Sequence, residues 1–387
     1  MKRITITFFI LLQNILFTTA QTDCSGNSNS SFFGEREKML SEPAANVARV
    51  FMDKAGFYYP DLYITDDELE RHCSSLKEWY KANPEKLKLL CEHYNVEATL
   101  AADEKINRLN DSVAKSYVRS INQKSKNYAV VDVLIHGFRK KAYGNTGGTS
   151  SYSVNDYEHF EKVLSATGTK NLYVEIYWDG KFITPAQSYK YRGFELFEKS
   201  SIPNASNAGV ELRRVIPFIA CEHINVITHS LGARVGCELL FNASKGELAD
   251  EKVLQTPAQK TVRLCMIEPA IGADLFDNYY SRTTSVDYKA KDNYELGVVY
   301  NENDFVLLKN YQWKFIKIVS TPLEYGNTSL GCNYQGCIPA LQKTFAGNYP
   351  HSVFVTPFDF SSVGADHRLY AYGRDAQFAK VLLFLND

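Results

Sequence analysis

The chain has 387 residues, of which 45% are hydrophobic and 13% aromatic, and its formal net charge is −1. This length suits one large domain or two ordinary ones with a sizeable core. The near balance of 43 basic and 44 acidic residues, without a long run of one sign, argues against a nucleic-acid partner.

The first twenty residues have the pattern of a secretory signal peptide. Lys2 and Arg3 precede a mostly apolar run over residues 4–17, and small residues follow up to Ala20. The run is short and contains two polar residues, which disfavours a membrane span. We expect cleavage near Ala20 and a secreted or periplasmic protein. A lipid anchor at Cys24 is the alternative, but the residues before it are not the small and apolar ones that lipidation requires.

Residues 21–125 are expected to form a flexible leader and a helical N-terminal region. Residues 21–34 are rich in Ser, Asn and Gly, and the pattern from 35 to 125 is helical. Thr65 and Glu68 have capping-box spacing. The helices either form a separate bundle or pack on the region that follows, and the sequence leaves both arrangements open.

From residue 126 to 387 short apolar runs alternate with helical stretches. Near-continuous apolar strands separated by helices are typical of a parallel sheet that is covered on both faces. The fold class is therefore predicted as α/β, with a doubly wound, mostly parallel sheet and a helical N-terminal extension. The six predicted strands lie within 128–137, 171–180, 223–230, 262–270, 294–304 and 352–360, and the helices near 154–166, 207–221, 231–244 and 375–386.

All eight cysteines follow the predicted signal peptide. Export would permit disulfides. Cys332 and Cys337 lie in a glycine-flanked loop suited to a local bridge, and a second bridge from Cys73 to Cys91 would join two helices. The lack of a second close Cys/His pair argues against zinc. Three cysteines in apolar surroundings are expected in the core: Cys221, Cys237 and Cys265.

The stretch "NVITHSLGARVG", residues 225–236, places Ser230 where a strand is expected to become a helix. In a parallel sheet, functional residues collect at the carboxyl ends of strands. A serine hydroxyl needs an exposed position and a base to act as a nucleophile, and the first N–H groups of a helix can stabilise an oxyanion beside it. The alternative is that Ser230 caps the helix, since serine is a favoured N-cap residue.

The motif T-H-S-L-G resembles the nucleophile elbow G-x-S-x-G of the α/β-hydrolase superfamily, with Thr228 in place of the first glycine. His136-Gly137-Phe138 follows the first predicted strand and resembles the H-G segment beside that elbow. The resemblance covers residues 128–387. It implies an oxyanion hole formed by the backbone amides of Leu231 and Phe138.

The same resemblance implies a triad in the chain order Ser, acid, His. His367 follows the last predicted strand and is the expected base, whereas His351 precedes that strand. Asp304 follows the preceding strand and is the expected acid, with Asp274 as the alternative. His229 is expected to point away from Ser230 and to serve packing.

The resemblance implies a serine hydrolase that cleaves a carboxylic ester or lipid through an acyl-enzyme, without a metal or organic cofactor. Amide and thioester substrates stay open, as do the oligomeric state and contact with lipid or a membrane surface. The alternation of Tyr311, Trp313 and Phe315 predicts a hairpin that either caps the pocket or adds a strand to the core. The alternative function is a non-catalytic binding or adhesion protein that retains the hydrolase shell, which Thr228 and the N-terminal region favour.

Overall fold

The computed structural model describes residues 44–60, 75–138, 153–180, 197, 201–241, 261–276, 293–308, 310–313, 316–319, 329–348 and 354–386. The predicted signal peptide, Cys24, Cys73 and His351 lie outside these ranges, as does the capping box predicted at Thr65 and Glu68. Within the described residues, no helix is both long enough and apolar enough to cross a bilayer.

The core of the molecule is a sheet of seven strands, and every neighbouring pair in it is parallel. Its strands are β1 (Val47–Phe51), β2 (Val130–Ile135), β3 (Asn171–Tyr177), β4 (His223–His229), β5 (Thr261–Ile267), β6 (Asn293–Tyr300) and β9 (Phe354–Asp359). Their order across the sheet is β1-β3-β2-β4-β5-β6-β9. β2 and β3 are buried along their whole length, as expected for strands covered on both faces. The predicted α/β fold class is confirmed.

Helices cover both faces of the sheet. The helices are α1 (Leu76–Ala82), α2 (Pro84–His93), α3 (Ala102–Ser125), α4 (Ser153–Ser165), α5 (Ile202–Leu212), α6 (Gly232–Phe241), α7 (Cys337–Asn348), α8 (Leu369–Arg374) and α9 (Phe378–Asn386). α1, α2 and α3 come from the N-terminal region, and α3 packs against β1 and β3. α6 packs against β4 and α5.

The helical prediction for residues 35–125 is wrong at β1. Val47–Phe51 form a strand that pairs with β3 and lies at the edge of the sheet. Phe51 is fully buried and its ring stacks on that of Tyr177, with 5.0 Å between the ring centroids. This pairing joins residues more than a hundred positions apart, so local periodicity could not reveal it. Part of the N-terminal region is therefore built into the sheet.

The predicted bridge between Cys332 and Cys337 is not formed, because both residues are free thiols. Their sulfur atoms lie 3.6 Å and 3.4 Å from the same acceptor, the carbonyl oxygen of Ser329. Cys91 is also a free thiol. Cys237 and Cys265 are fully buried core residues as predicted, but Cys221 is only half-buried.

The predicted hairpin is present: β7 (Asn310–Trp313) and β8 (Ile316–Val319) pair antiparallel in a separate sheet of two strands. Phe315 lies outside the described residues. The hairpin adds no strand to the seven-stranded sheet.

Asp132, in the middle of β2, makes stability depend on pH. Burial raises the pKa of Asp132 to about 6, and hydrogen bonds from Asn225 and Asn171 limit the rise. Because folding favours the protonated acid, Asp132 contributes fully to the free energy of unfolding below about pH 4. This contribution is lost as the pH rises through 6. Relative to Asp132→Asn, the wild type is expected to lose about 2 kcal/mol between pH 4 and 7. Urea unfolding of both proteins measures this difference, and a constant difference contradicts the expectation.

Candidate active site

Ser230 lies between the end of β4 and the start of α6, where the chain makes a sharp turn. Its φ is 53°, a left-handed value that is uncommon for a residue with a side chain. The Ser230 amide donates to the carbonyl of Ile267 at the end of β5, with a distance of 2.9 Å. The turn therefore has the backbone of a strained elbow that presents the serine side chain at the carboxyl edge of the sheet.

The structure brings Ser230, His367 and Asp304 together although they are far apart in sequence. His367 Nε2 lies 3.0 Å from Ser230 Oγ, and His367 Nδ1 lies 2.6 Å from Asp304 Oδ2. The Ser230 hydroxyl thus bonds to the imidazole, while the amide of Ala233 donates to the Ser230 backbone carbonyl at 3.1 Å. The arrangement is the one expected of a nucleophile, a base and an orienting acid.

The Asp304 carboxylate is held by backbone groups of its own turn. Its Oδ1 accepts from the amides of Val306 at 2.7 Å and Leu307 at 2.9 Å. Burial alone would raise the pKa of Asp304, but the hydrogen bonds, that from His367 foremost, lower it below its usual value. Asp304 is therefore an anion that faces the imidazole Nδ1.

The His136-Gly137-Phe138 turn lies against the serine. A Cβ atom added to Gly137 would lie 2.8 Å from the Ser230 Cβ, and one added to Gly232 would lie 2.6 Å from the His136 carbonyl oxygen. Both positions thus require glycine for the close approach of turn and elbow. The described residues offer no hydrogen-bond acceptor to the Leu231 amide.

Thr228 stands where the usual motif has glycine, and its side chain is accommodated by Gly236 on α6. Thr228 is buried, and a Cβ added to Gly236 on α6 would lie 3.0 Å from the Thr228 Cγ2. A glycine in the motif would leave room between β4 and α6. Here the same room comes from Gly236 on α6, which has no side chain.

His229 does more than fill space. Its Nε2 lies 2.9 Å from the carbonyl oxygen of His367, and the two imidazole rings have centroids 5.1 Å apart. The Nε2–H group donates to this carbonyl and so fixes the loop that carries His367. The sequence predicted a packing role for His229, and this hydrogen bond shows that its side chain packs against and holds the His367 backbone.

A cavity of about 590 Å³ opens over Ser230 and His367. Its polar rim includes Arg368 and Asp366, which form an ion pair at 2.5 Å. Apolar side chains supply the rest of the wall: Phe138, Phe305, Val306, Val363 and Ala365. The site therefore presents a hydroxyl and an imidazole to a solvent-open pocket with an apolar wall and a charged rim.

Sequence reasoning missed Glu268, which is fully buried directly after β5. Glu268, Asp304 and His367 each offer a ligand atom within 4.8 Å of the others, a spacing that suggests a metal site. However, His367 Nδ1 and Asp304 Oδ2 are only 2.6 Å apart, closer than two ligands that each bind one ion at about 2.0–2.2 Å. The signal that could have identified Glu268 is a carboxylate immediately after an apolar strand at this edge of the sheet.

The alternative acid, Asp274, lies in a short 3-10 helix over Ala273–Phe276, after β5. Asp304 is the carboxylate bonded to the His367 imidazole.

No family model matches this sequence, and the search of curated proteins finds no relative. Among solved structures, esterase B from Lactobacillus rhamnosis is similar at 12% identity with a TM-score of 0.33, over 67% of this chain and 75% of that chain. The same esterase with a tributyrin phosphonate inhibitor is 13% identical, with a TM-score of 0.33, over 67% and 74% of the chains. The fold class rests on the parallel sheet described above, and the site on its own geometry.

Proposed function

We propose that this protein is a serine hydrolase that cleaves an acyl bond through an acyl-enzyme. The supporting observation is the hydrogen-bonded chain from Ser230 Oγ through the His367 imidazole to Asp304, at 3.0 Å and 2.6 Å. The strained elbow and the two glycine contacts support the same function, because they hold the serine where a helix N-terminus can stabilise negative charge.

In the proposed reaction Ser230 Oγ attacks the acyl carbonyl carbon while His367 Nε2 takes the hydroxyl proton. The oxyanion that forms is bound by the amides of Leu231 and Phe138, each contributing about 3–4 kcal/mol to the barrier reduction. His367 then returns the proton to the leaving alcohol as the carbon–oxygen bond breaks. Water then gives a proton to His367 and attacks the acyl-enzyme. His367 returns that proton to Ser230 Oγ as the bond from Oγ to the acyl carbon breaks, which releases the acid and free Ser230. Asp304 stays ionised and orients the imidazole throughout.

The pocket supports a carboxylic ester as the substrate. Five apolar side chains form part of its wall, which suits the hydrocarbon part of an acyl group. Among the described residues that line the pocket, the basic side chain Arg368 is already paired with Asp366, which suits a neutral substrate. Phe305 is 45% exposed at the pocket, which suits contact with a lipid.

We also propose export of the enzyme, on the pattern of residues 1–20 alone.

A panel of p-nitrophenyl esters from acetate to octanoate, with p-nitroanilides of the same acids, tests the proposed substrate class. We expect saturable hydrolysis of the esters, much slower cleavage of the anilides, and no hydrolysis above background in Ser230→Ala. Comparing monomeric with micellar esters then separates a soluble esterase from a lipase-like enzyme. Ester cleavage that is equal in wild type and Ser230→Ala would contradict the proposal.

A further inference from the structure

Glu268 is buried at the carboxyl edge of the sheet, beside the elbow. Its φ is 49°, left-handed like that of Ser230, and its amide donates to the Val299 carbonyl of β6 at 3.0 Å. The preceding residue, Ile267, accepts the hydrogen bond from the Ser230 amide, and the Ala270 amide donates to the Ser230 carbonyl at 3.0 Å. The backbone that carries Glu268 is therefore fixed to the nucleophile on both sides.

One carboxyl oxygen of Glu268 lies within 4.8 Å of a carboxylate oxygen of Asp304 and of a ring nitrogen of His367. Both Glu268 oxygens are buried. The other titratable groups that face it are the Tyr372 hydroxyl and the Cys332 thiol. The Tyr372 hydroxyl donates to the Asp366 carbonyl at 2.6 Å, so its only proton is engaged there. No N–H or hydroxyl group in the described part of the chain donates to either oxygen of Glu268. Among the described residues this leaves the Asp304 carboxyl group as the neighbour of these oxygens. Two carboxyl groups can hydrogen-bond to each other only if one of them carries a proton.

The surroundings decide which group carries that proton. Two carboxylates that share a buried site cannot both ionise without a large cost. Asp304 accepts from two backbone amides and from His367, all of which favour its anion. Glu268 lacks such donors, and burial together with the Asp304 charge raises its pKa well above the usual value. The proton therefore belongs on Glu268.

We propose that Glu268 is a positioning residue that stays a neutral carboxylic acid and donates a hydrogen bond to Asp304, so that the chain of groups runs Ser230, His367, Asp304, Glu268. Its catalytic meaning rests on the proposed function. Together with the backbone amides that bond to Oδ1, this bond holds the Asp304 carboxylate so that Oδ2 faces the imidazole.

The neutral state of Glu268 also sets the charge behind the imidazole. With Glu268 protonated, Asp304 is the only ionised member of the buried carboxyl pair behind His367. Asp366, at the pocket rim, is paired with Arg368. An ionised Glu268 would add a further negative charge there and stabilise the imidazolium form of His367. Less of the neutral imidazole that must accept the Ser230 proton would then be present. A buried acid that stays neutral thus keeps His367 available as a base.

The titration of the His367 imidazole, followed by NMR in wild type and Glu268→Gln, tests the proton placement without any turnover. Glutamine keeps the shape and the donor but cannot ionise. We expect the two titration midpoints to agree within a few tenths of a pH unit. A midpoint about 1 pH unit or more lower in Glu268→Gln would show that a charge had been removed and would overturn the proposal. Asp132→Asn, a buried acid-to-amide change elsewhere in the sheet, is the matched control and should leave the midpoint in place.

The positioning role is tested by kcat and KM of Glu268→Gln and Glu268→Leu. Leucine removes the donor, and we expect kcat to fall about 10- to 100-fold with KM unchanged, the range found when the partner that orients a metal ligand is removed. Glutamine is expected to recover most of that loss. Wild-type kcat and an unchanged pH profile in a folded Glu268→Leu would overturn the role. If the leucine variant does not fold, kcat of Glu268→Gln decides. Because glutamine keeps the hydrogen-bond donor, a 100-fold loss of kcat in that variant, with the His367 midpoint unchanged, counts against the role.

These readouts separate this proposal from the proposed function. If the wild type hydrolyses no ester but the His367 midpoint is the same in wild type and Glu268→Gln, the proton placement stands and the catalytic function fails. If esters are hydrolysed and the midpoint falls in Glu268→Gln, the function stands and the proton placement fails.

Discussion

Ser230→Ala is expected to lower kcat by about 10⁶-fold, the loss typical of removing the nucleophile from a serine hydrolase triad. Tm is expected to be unchanged or slightly raised, because the Ser230 hydroxyl bonds to His367 and not to the first turn of α6. Ester hydrolysis and thermal unfolding of the purified variant measure the two effects.

Ser230→Gly is the matched control for backbone strain. It should be as inactive as Ser230→Ala and at least as stable, because glycine adopts a φ of 53° without steric cost. A drop in Tm of several degrees in both variants, with activity retained, would assign Ser230 to helix capping instead.

Asp304→Asn is expected to lower kcat about 10⁴-fold while substrate binding changes little. An amide can donate to His367 Nδ1, which favours the tautomer with the proton on Nε2 and so removes the lone pair that must accept the Ser230 proton. Steady-state kinetics across pH 5–9 measures the loss.

Asp359→Asn is the matched control for Asp304→Asn. The Asp359 carboxylate, at the end of β9, bonds to Ser361 at 2.6 Å and does not line the pocket. We expect its kcat to stay within a few-fold of wild type. Equal losses in the two variants would mean that Asp304 acts through general folding and not through the imidazole.

The sheet and the elbow could be predicted because their signals are local. Long apolar runs between helical stretches identified β2 to β6 and β9, and the strand-to-helix change identified Ser230. Asp304 and His367 could be proposed because the motif resembles a family whose triad runs Ser, acid, His along the chain, and because both residues follow strands whose carboxyl ends meet at one edge. The structure places both beside Ser230, and their catalytic roles stay a prediction.

The remaining features depend on contacts between distant residues. Val47–Phe51 becomes a strand only because β3 offers it an edge, and its own pattern did not distinguish it from a helix. Glu268 looks like any loop carboxylate until Asp304 is placed beside it. The same holds for Thr228, whose bulk is acceptable only because Gly236 faces it from α6.

Reaction of the folded protein with a fluorophosphonate probe, followed by peptide mapping of the adduct, tests the proposed nucleophile most directly. The proposed chemistry predicts one adduct, on Ser230, that is absent in His367→Ala although that variant folds. Folded wild-type protein that stays unlabelled, or a label on another residue that persists in His367→Ala, would contradict it.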